Sequence, residues 1–517
     1  MNGAASLVQT LVNSGVAVCF ANPGTSEMHF VGALDANKGI RCILCLFEGV
    51  ASAAADGYAR MSGRPAATLL HLGPGLANAG ANLHNAMRAG SPLINIVGEH
   101  AAAHRHLDAP LTSNIEGLAH TWSKWVRTGR SAASIALDAA EAVEKAHEGG
   151  GGIATLILPA DTAWGDAVGA STARPARQLA IAHEDRIRAI AAVLRAGEHT
   201  ALVMNHSVLA CPAALEDADR IAQATGAELF ADTSFTKIEA GAGRIAIEPV
   251  PYPVDSAVRR LARLRHCILV QADEPVGFFA YPGKPGRLLP SQCKTHMFAH
   301  RNEDGPGSLR RLVFALGAEG IEPRLQKAGA ARAVPQGRLT PEAIGASLAN
   351  RLPAGAVVSD EGLTAGGVVV EALADAAPHT RLQLTGGAIG IGLPLALGAA
   401  VACPDRKVIA LQADGSSMYT IQALWTYARE NLDIISIILS NRSYAILRHE
   451  LRNVGVTDPG PKALGMTSLQ NPDIDFAALA SAMGVPAGKA TTGSEFDTLL
   501  ARAISGRGPF LIEADLA

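Results

Sequence analysis

Residues 408–443 read VIALQADGSSMYTIQALWTYARENLDIISIILSNRS, and this stretch decides the fold. It opens on the apolar run Val408–Gln412 and ends on a second, Ile434–Leu439, with a helix-length segment between them. Short runs of aliphatic and β-branched residues make strands, and strands joined through a helix belong to a parallel βαβ unit. Ala413-Asp414-Gly415-Ser416 comes after the first run and Asn441-Arg442-Ser443 after the second, so both polar clusters fall just past the carboxyl ends of strands. Open α/β sheets place their ligands there. Hard Mg²⁺ takes oxygen ligands, commonly one or two protein groups plus phosphate oxygens. Asp414 offers a carboxylate, Asn441 an amide oxygen and Ser443 a backbone carbonyl. Gly415 leaves room for a phosphate beside the main chain, and Ser416 can donate to it. Asp-Gly-Ser alone is an ordinary turn; an Asn at the end of the next strand makes the pattern specific.

The same alternation extends outward. Apolar runs at Ala17–Phe20, Cys42–Leu46, Ala67–His71, Leu93–Val97 and Ala154–Leu158 are separated by helix-length segments. A second block carries Thr200–Met204, Glu228–Ala231, His266–Gln271 and Lys294–Phe298. The third begins near Leu339 with a helix that Thr340 caps and Glu342 supports in its first turn, and adds Ala356–Ser359 and Pro509–Ala514. Stretches near 168–183 and 326–338, rich in small residues, Pro and Arg, read as linkers. The chain is therefore expected to be α/β, with three doubly wound domains on central parallel sheets, at 1–170, 183–326 and 339–517.

Composition agrees. The 517 residues are 48% apolar, 18% charged and only 4% aromatic, which suits interiors packed through Gly and Ala. A net charge of −3 leaves no basic footprint for nucleic acid or an anionic membrane. No apolar run of about 18 residues is free of polar breaks, so no membrane-spanning helix is expected. The N-terminus lacks the basic start and cleavage site of a secretory signal. Seven scattered cysteines fit a reducing cytoplasm. Cys42 and Cys45 form a C-x-x-C, but with strand-like flanks and no second pair nearby they read as small buried thiols rather than a redox or zinc site.

With the upstream TGGAIGIGLPLALGAAVACPDRKVIAL (385–411), the opening stretch resembles the pyruvate-type thiamine-diphosphate enzymes, in particular benzoylformate decarboxylase and acetolactate synthase. The resemblance covers essentially the whole chain and is weakest in its middle third. It implies a pyrimidine-binding first domain, a middle domain and a diphosphate-binding third domain. Asp414, Asn441 and Ser443 would ligate Mg²⁺, Gly415, Ser416 and Thr364 would meet the diphosphate, Ile389 would be the apolar wedge under the cofactor, and Gly387 would offer its carbonyl to the aminopyrimidine. Ala413 and Ser440 replace a Gly and an Asn of the family pattern without removing a ligand.

Glu48, in LFEGVASAAADGYAR, stands where the family has the glutamate that bonds a pyrimidine nitrogen, a role suited to the apolar surroundings of Phe47, Val50 and Ala51. The plainer reading is a first-turn glutamate favoured by the helix dipole. Thr25 and Ser26, in ANPGTSEM, match a substrate-binding loop and also read as a helix cap before Glu27. His71 matches an active-site histidine of benzoylformate decarboxylase and can shuttle protons. The decarboxylase's other histidine would fall near Phe278–Tyr281, where none stands, and Leu111 occupies the place of a synthase glutamine. His84, His100, His104 and His106 fall outside the match and read as surface or loop residues. Leu447-Arg448-His449-Glu450 would form a polar wall where the decarboxylase has aromatics. The middle third shows no Gly-rich dinucleotide loop, so FAD is not supported. The resemblance implies a small 2-oxo acid as substrate, decarboxylation or carboligation as the reaction, and self-association as a homodimer or homotetramer. The alternatives are acetolactate synthesis without FAD and a non-catalytic cofactor-binding paralogue.

Overall fold

Val408–Ala413 and Ile434–Ser440 are adjacent parallel strands, with Val408 opposite Ile434 and Leu411 opposite Ile437. Ile434–Ser440 is buried at every residue, the signature of a strand covered on both faces. These strands sit at the centre of a sheet in a computed structural model that describes residues 1–516. The sheet order is Ala487–Ala490, Phe510–Asp515, Ile434–Ser440, Val408–Ala413, Val357–Glu361, His379–Gln383 and Lys237–Ala240. All of its pairs are parallel except the last, in which Lys237–Ala240 runs antiparallel to His379–Gln383. That edge strand arrives from within the stretch 183–326.

Two further sheets are parallel throughout. The first is ordered Arg41–Leu44, Val18–Asn22, Ala66–Leu70, Leu93–Glu99, Ile153–Pro159, Trp125–Thr128. The second is ordered Glu248–Pro249, Glu228–Ala231, Thr200–Met204, His266–Val270, Lys294–Ala299. The expected α/β class with mostly parallel sheets is therefore observed. Trp125–Thr128, Lys237–Ala240, His379–Gln383 and Ala487–Ala490 are strands that no sequence pattern announces. Each is short, polar or at or near a sheet edge, where the apolar run that signals a strand is lost.

The first and third sheets share a core. The helix Glu48–Ser62, built almost wholly from Gly, Ala and Ser, packs against Gly392–Ala402, and their apolar side chains join both sheets in one cluster. Small residues allow this close approach. A Cβ on Gly57 would strike the Leu395 carbonyl, and one on Gly398 would strike the Ala54 carbonyl. Those contacts make the helices antiparallel. Glu48 and Gly392 lie six residues beyond the Ala54 and Gly398 contact in opposite directions. At 1.5 Å per helical residue they are about 18 Å apart along the axes.

Arg60, buried near the end of Glu48–Ser62, pins the assembly. It pairs with Asp56 at 2.5 Å and donates to the Gln383 carbonyl at 2.7 Å, the Thr385 hydroxyl at 3.0 Å and the Thr236 carbonyl at 3.3 Å. All seven cysteines are free. Cys45 is buried as expected, but Cys42 lies on the edge strand and is exposed rather than buried. Full burial of Cys45, and partial burial of Cys42 with the Asp35 carboxylate near it, push both thiols up from their ordinary value, which leaves them poor nucleophiles. Among the described residues no helix is long and apolar enough to cross a membrane.

Candidate active site

In the third sheet the chain runs from Val357–Glu361 outward to His379–Gln383 and then returns to Val408–Ala413 on the other side. The order thus reverses between Glu361 and Ala413, and a crevice opens at the strands' carboxyl ends. Gly362–Ala365, Ala413–Ser416 and the stretch Asn441, Ser443, Tyr444 line this crevice. Asp414, Gly415, Ser416, Thr364, Asn441 and Ser443 are therefore brought together.

Asp414 is only 2% exposed. Its carboxylate accepts the backbone N–H of Gly415 at 2.8 Å and of Arg442 at 2.6 Å. Burial raises its pKa from the ordinary value, with these N–H groups opposing the shift. The Asn441 side-chain oxygen accepts the Ser443 N–H at 3.0 Å. The Ser416 hydroxyl is engaged locally, accepting from Gln412 at 2.5 Å and donating to the Ala413 carbonyl at 3.1 Å. A Cβ on Gly415 would run into the Tyr444 ring, so any side chain there would have to displace that ring. Leu363 and Arg442 take φ of +46° and +54°, a conformation costly for residues with side chains. Such strain concentrates where a ligand is held. Among the described residues no group of three His, Cys, Asp or Glu is placed to hold a metal. The donors here are one carboxylate with amide and main-chain oxygens, a set that suits a hard ion completed by phosphate.

Gly387 and Ile389 lie on the segment before Gly392–Ala402 and line a cleft of about 2710 Å³ between the middle and third sheets, together with Thr364, Phe278, Tyr419 and Glu450. Gly387 is exposed with φ +78°, and the Phe278 ring stands 3.6 Å from where its Cβ would be. The stretch lacking the second histidine thus reaches Gly387. Burial and the nearby carboxylate of Glu450, on the helix Ala445–Asn453, push the Tyr281 phenol up from its ordinary value.

The first sheet reverses its order between Val18–Asn22 and Ala66–Leu70, and the other candidates meet there. His71 comes directly after one strand, Thr25–Glu27 forms a short 3-10 turn after the other, and Glu48 opens the helix Glu48–Ser62 that follows the edge strand Arg41–Leu44. His71 Nδ1 lies 2.8 Å from Glu27 Oε2. Glu27, 2% exposed, also accepts the Gly24 N–H at 2.8 Å and the Ser26 hydroxyl at 2.6 Å. Thr25 is exposed beside this pair. Glu48 is 7% exposed and accepts from Asn78 at 3.0 Å. A Cβ on Gly75 would lie 3.0 Å from the Glu48 carboxylate and 3.3 Å from His71 Cβ, so both flank one glycine. Leu72, next to His71, has φ +47°. Leu111 packs at the edge of the shared core.

Within one chain the two clusters remain apart, at opposite ends of the antiparallel helix pair. Sequence reasoning missed Glu27, Asn78, His84, Asn85 and Glu361. His84 is neither loop nor free surface: it lies on the helix Leu72–Ala89 and hydrogen-bonds the Gly386 carbonyl at 3.1 Å. A signal for the asparagines was available, since Asn78, Asn82 and Asn85 repeat at helical spacing and form a polar stripe on a helix of small residues.

Residues 1–121 match the thiamine pyrophosphate enzyme N-terminal TPP binding domain, and residues 368–514 the C-terminal TPP binding domain of the same enzymes. A Mycobacterium tuberculosis protein with the provisional name acetolactate synthase large subunit IlvX is 48% identical over 517 residues, covering 99% of this chain and 98% of that one. Benzoylformate decarboxylase of Pseudomonas aeruginosa is 27% identical over 530 residues, covering 98% of this chain and 97% of the relative. The solved structure of a thiamine-diphosphate-dependent 4-hydroxybenzoylformate decarboxylase from Rhodococcus jostii superposes with a TM-score of 0.85 at 24% identity, covering 100% of this chain and 99% of that one.

Proposed function

The chain belongs to the thiamine-diphosphate-dependent enzyme family, and from that premise we propose that it is a Mg²⁺-dependent decarboxylase and carboligase of 2-oxo acids. The observation that carries this reading is the pair of clusters at two sheet switch points: buried Asp414 with Asn441 and Ser443 in one, Glu48 with the Glu27–His71 pair in the other. Asp414, Asn441 and Ser443 would hold the metal, Thr364, Gly415 and Ser416 would face the diphosphate, and Gly387, Ile389 and Glu48 would orient the aminopyrimidine. Bound there, thiamine diphosphate would supply an electron sink for the bond next to the substrate carbonyl. Glu48 would hold a proton at a ring nitrogen, His71 would move protons at the reacting carbon, and Thr25 would seat the substrate carboxylate.

Since about 18 Å of helix separates the clusters in one chain, we read the working site as shared between two copies, in a homodimer or homotetramer. The free, scattered thiols suit a reducing compartment such as the cytoplasm. A second reading, acetolactate-type carboligation without FAD, is favoured by the 48% identical relative's name.

The test is turnover of a 2-oxo acid panel with added thiamine diphosphate and Mg²⁺, reading both CO₂ and carboligated product. Pyruvate giving acetolactate rather than acetaldehyde selects the second reading. Equal turnover by wild type and Glu48→Gln removes Glu48 from the chemistry and defeats both, and no turnover by either on any acid leaves a cofactor-binding paralogue.

A further inference from the structure

The segment 385–392 is held from two sides. From the first domain, the Asn85 side-chain oxygen accepts the N–H groups of Gly386 at 3.1 Å and Ala388 at 3.3 Å. Its amide donates to the Ala388 carbonyl at 2.7 Å, and its own carbonyl accepts the Thr385 hydroxyl at 2.8 Å. From the third domain, the Glu361 carboxylate accepts the N–H groups of Gly390 at 2.7 Å and Gly392 at 2.6 Å. Both side chains are buried. Alternate amides thus turn first to Asn85 and then to Glu361.

The carbonyls obey a similar logic. His84 takes that of Gly386, Asn85 that of Ala388, Thr420 that of Gly390 at 2.7 Å, and Ser359 that of Gly392 at 2.8 Å. Among the described residues the carbonyls of Gly387 and Ile389 accept no hydrogen bond. Glycines make the grip possible: a Cβ on Gly386 would lie 2.7 Å from the Asn85 side-chain oxygen. The neighbouring carbonyls are all taken up within the protein, so those of Gly387 and Ile389 stay open to a ligand in the cleft that both residues line.

We infer that Asn85 and Glu361 are positioning residues that grip segment 385–392 from opposite sides and so leave the Gly387 carbonyl and the Ile389 side chain turned toward the ligand. This rests on the reading of those two residues as cofactor contacts. Asn85 lies seven residues beyond Asn78, which bonds Glu48. The helix Leu72–Ala89 therefore serves Glu48 at one level and the gripped segment two turns later.

The experiment uses full-length Asn85→Ala and Glu361→Gln. Amide hydrogen exchange of peptides spanning 385–392 is measured without cofactor, and binding of thiamine diphosphate with Mg²⁺ is measured by calorimetry. Losing an acceptor should speed exchange in this segment by about tenfold, and weaken binding by a similar factor, while exchange elsewhere in the third domain stays as in wild type. Glu361→Gln keeps one acceptor and the same volume, so it should fold and show the smaller effect. Asn85→Asp, which keeps a side-chain oxygen at the same place, should recover part of the protection. Unchanged exchange in 385–392, or exchange raised evenly over the whole third domain, overturns the inference. If wild type binds no thiamine diphosphate, the functional reading fails while the exchange result still decides the grip.

Discussion

Glu27 and His71, 44 positions apart in the chain, meet with 2.8 Å between a carboxylate oxygen and the imidazole Nδ1. A carboxylate oxygen only accepts, so it selects the tautomer with the proton on Nδ1 and leaves Nε2 as the nitrogen free to exchange protons. His71→Ala should lower kcat on the preferred 2-oxo acid by roughly a hundredfold or more. Glu27→Gln should lower it by about tenfold with KM nearly unchanged, because the imidazole stays but loses its tautomer. Equal kcat for Glu27→Gln and wild type would remove Glu27 from the site.

The separation of the clusters makes a mixing prediction. Glu48→Gln and Asp414→Ala homo-oligomers should each be nearly inactive. Co-expressed with distinct tags, the two variants should form mixed dimers in which one of two sites carries both native residues. Random pairing then restores about a quarter of wild-type activity. No activity in the purified mixed species would place both clusters in the same chain's site.

Glu361, which grips Gly390 and Gly392, also ties stability to pH. Burial pushes its carboxyl up to about 7 from an ordinary 4.5, Asp360 adds to this, and the Gly390 and Gly392 amides with Gln412 oppose it. Between those two values the folded chain keeps a proton that the unfolded chain has released, so this group's contribution to stability falls as pH rises through the window and levels off above about 7. Glu361→Gln lacks the titration. From about pH 4.5 to about pH 8 its stability relative to wild type should therefore improve by on the order of 3 kcal/mol. Denaturant unfolding at several pH values measures this, and a pH-independent difference between the proteins refutes it.

Gly398 lies where the two sheets are joined. Its substitution by Ala places a methyl against the Ala54 carbonyl and 2.5 Å from the Tyr58 nitrogen. Main-chain atoms inside a packed helix pair yield little, so Gly398→Ala should destabilise by about 1–3 kcal/mol and lower the melting temperature. The same change at Gly367, which has no neighbour within 4 Å, should leave it close to wild type. Equal melting temperatures for the two variants would show that the helices separate without cost.

The α/β class and the third-domain candidates were legible in the sequence because their evidence is local. Uninterrupted apolar runs such as Ile434–Ser440 mark strands covered on both faces, and the residues just past a parallel strand lie at the ligand-bearing end of its sheet. Asp414, Asn441 and Ser443 could be picked out without knowing what else they touch. Tertiary structure alone decided the rest. Glu27 reads as an ordinary first-turn acid until the strands ending at Asn22 and Leu70 lie side by side and bring His71 to it. Asn85 and Glu361 show a role only when Leu72–Ala89 and the third sheet close on segment 385–392, roughly 300 and 30 positions away. Sequence periodicity reports which face of an element is buried, but not which distant backbone that face will meet. Here that choice comes from the close antiparallel packing that Gly57 and Gly398 permit, and the same packing holds the two halves of the site apart in one chain.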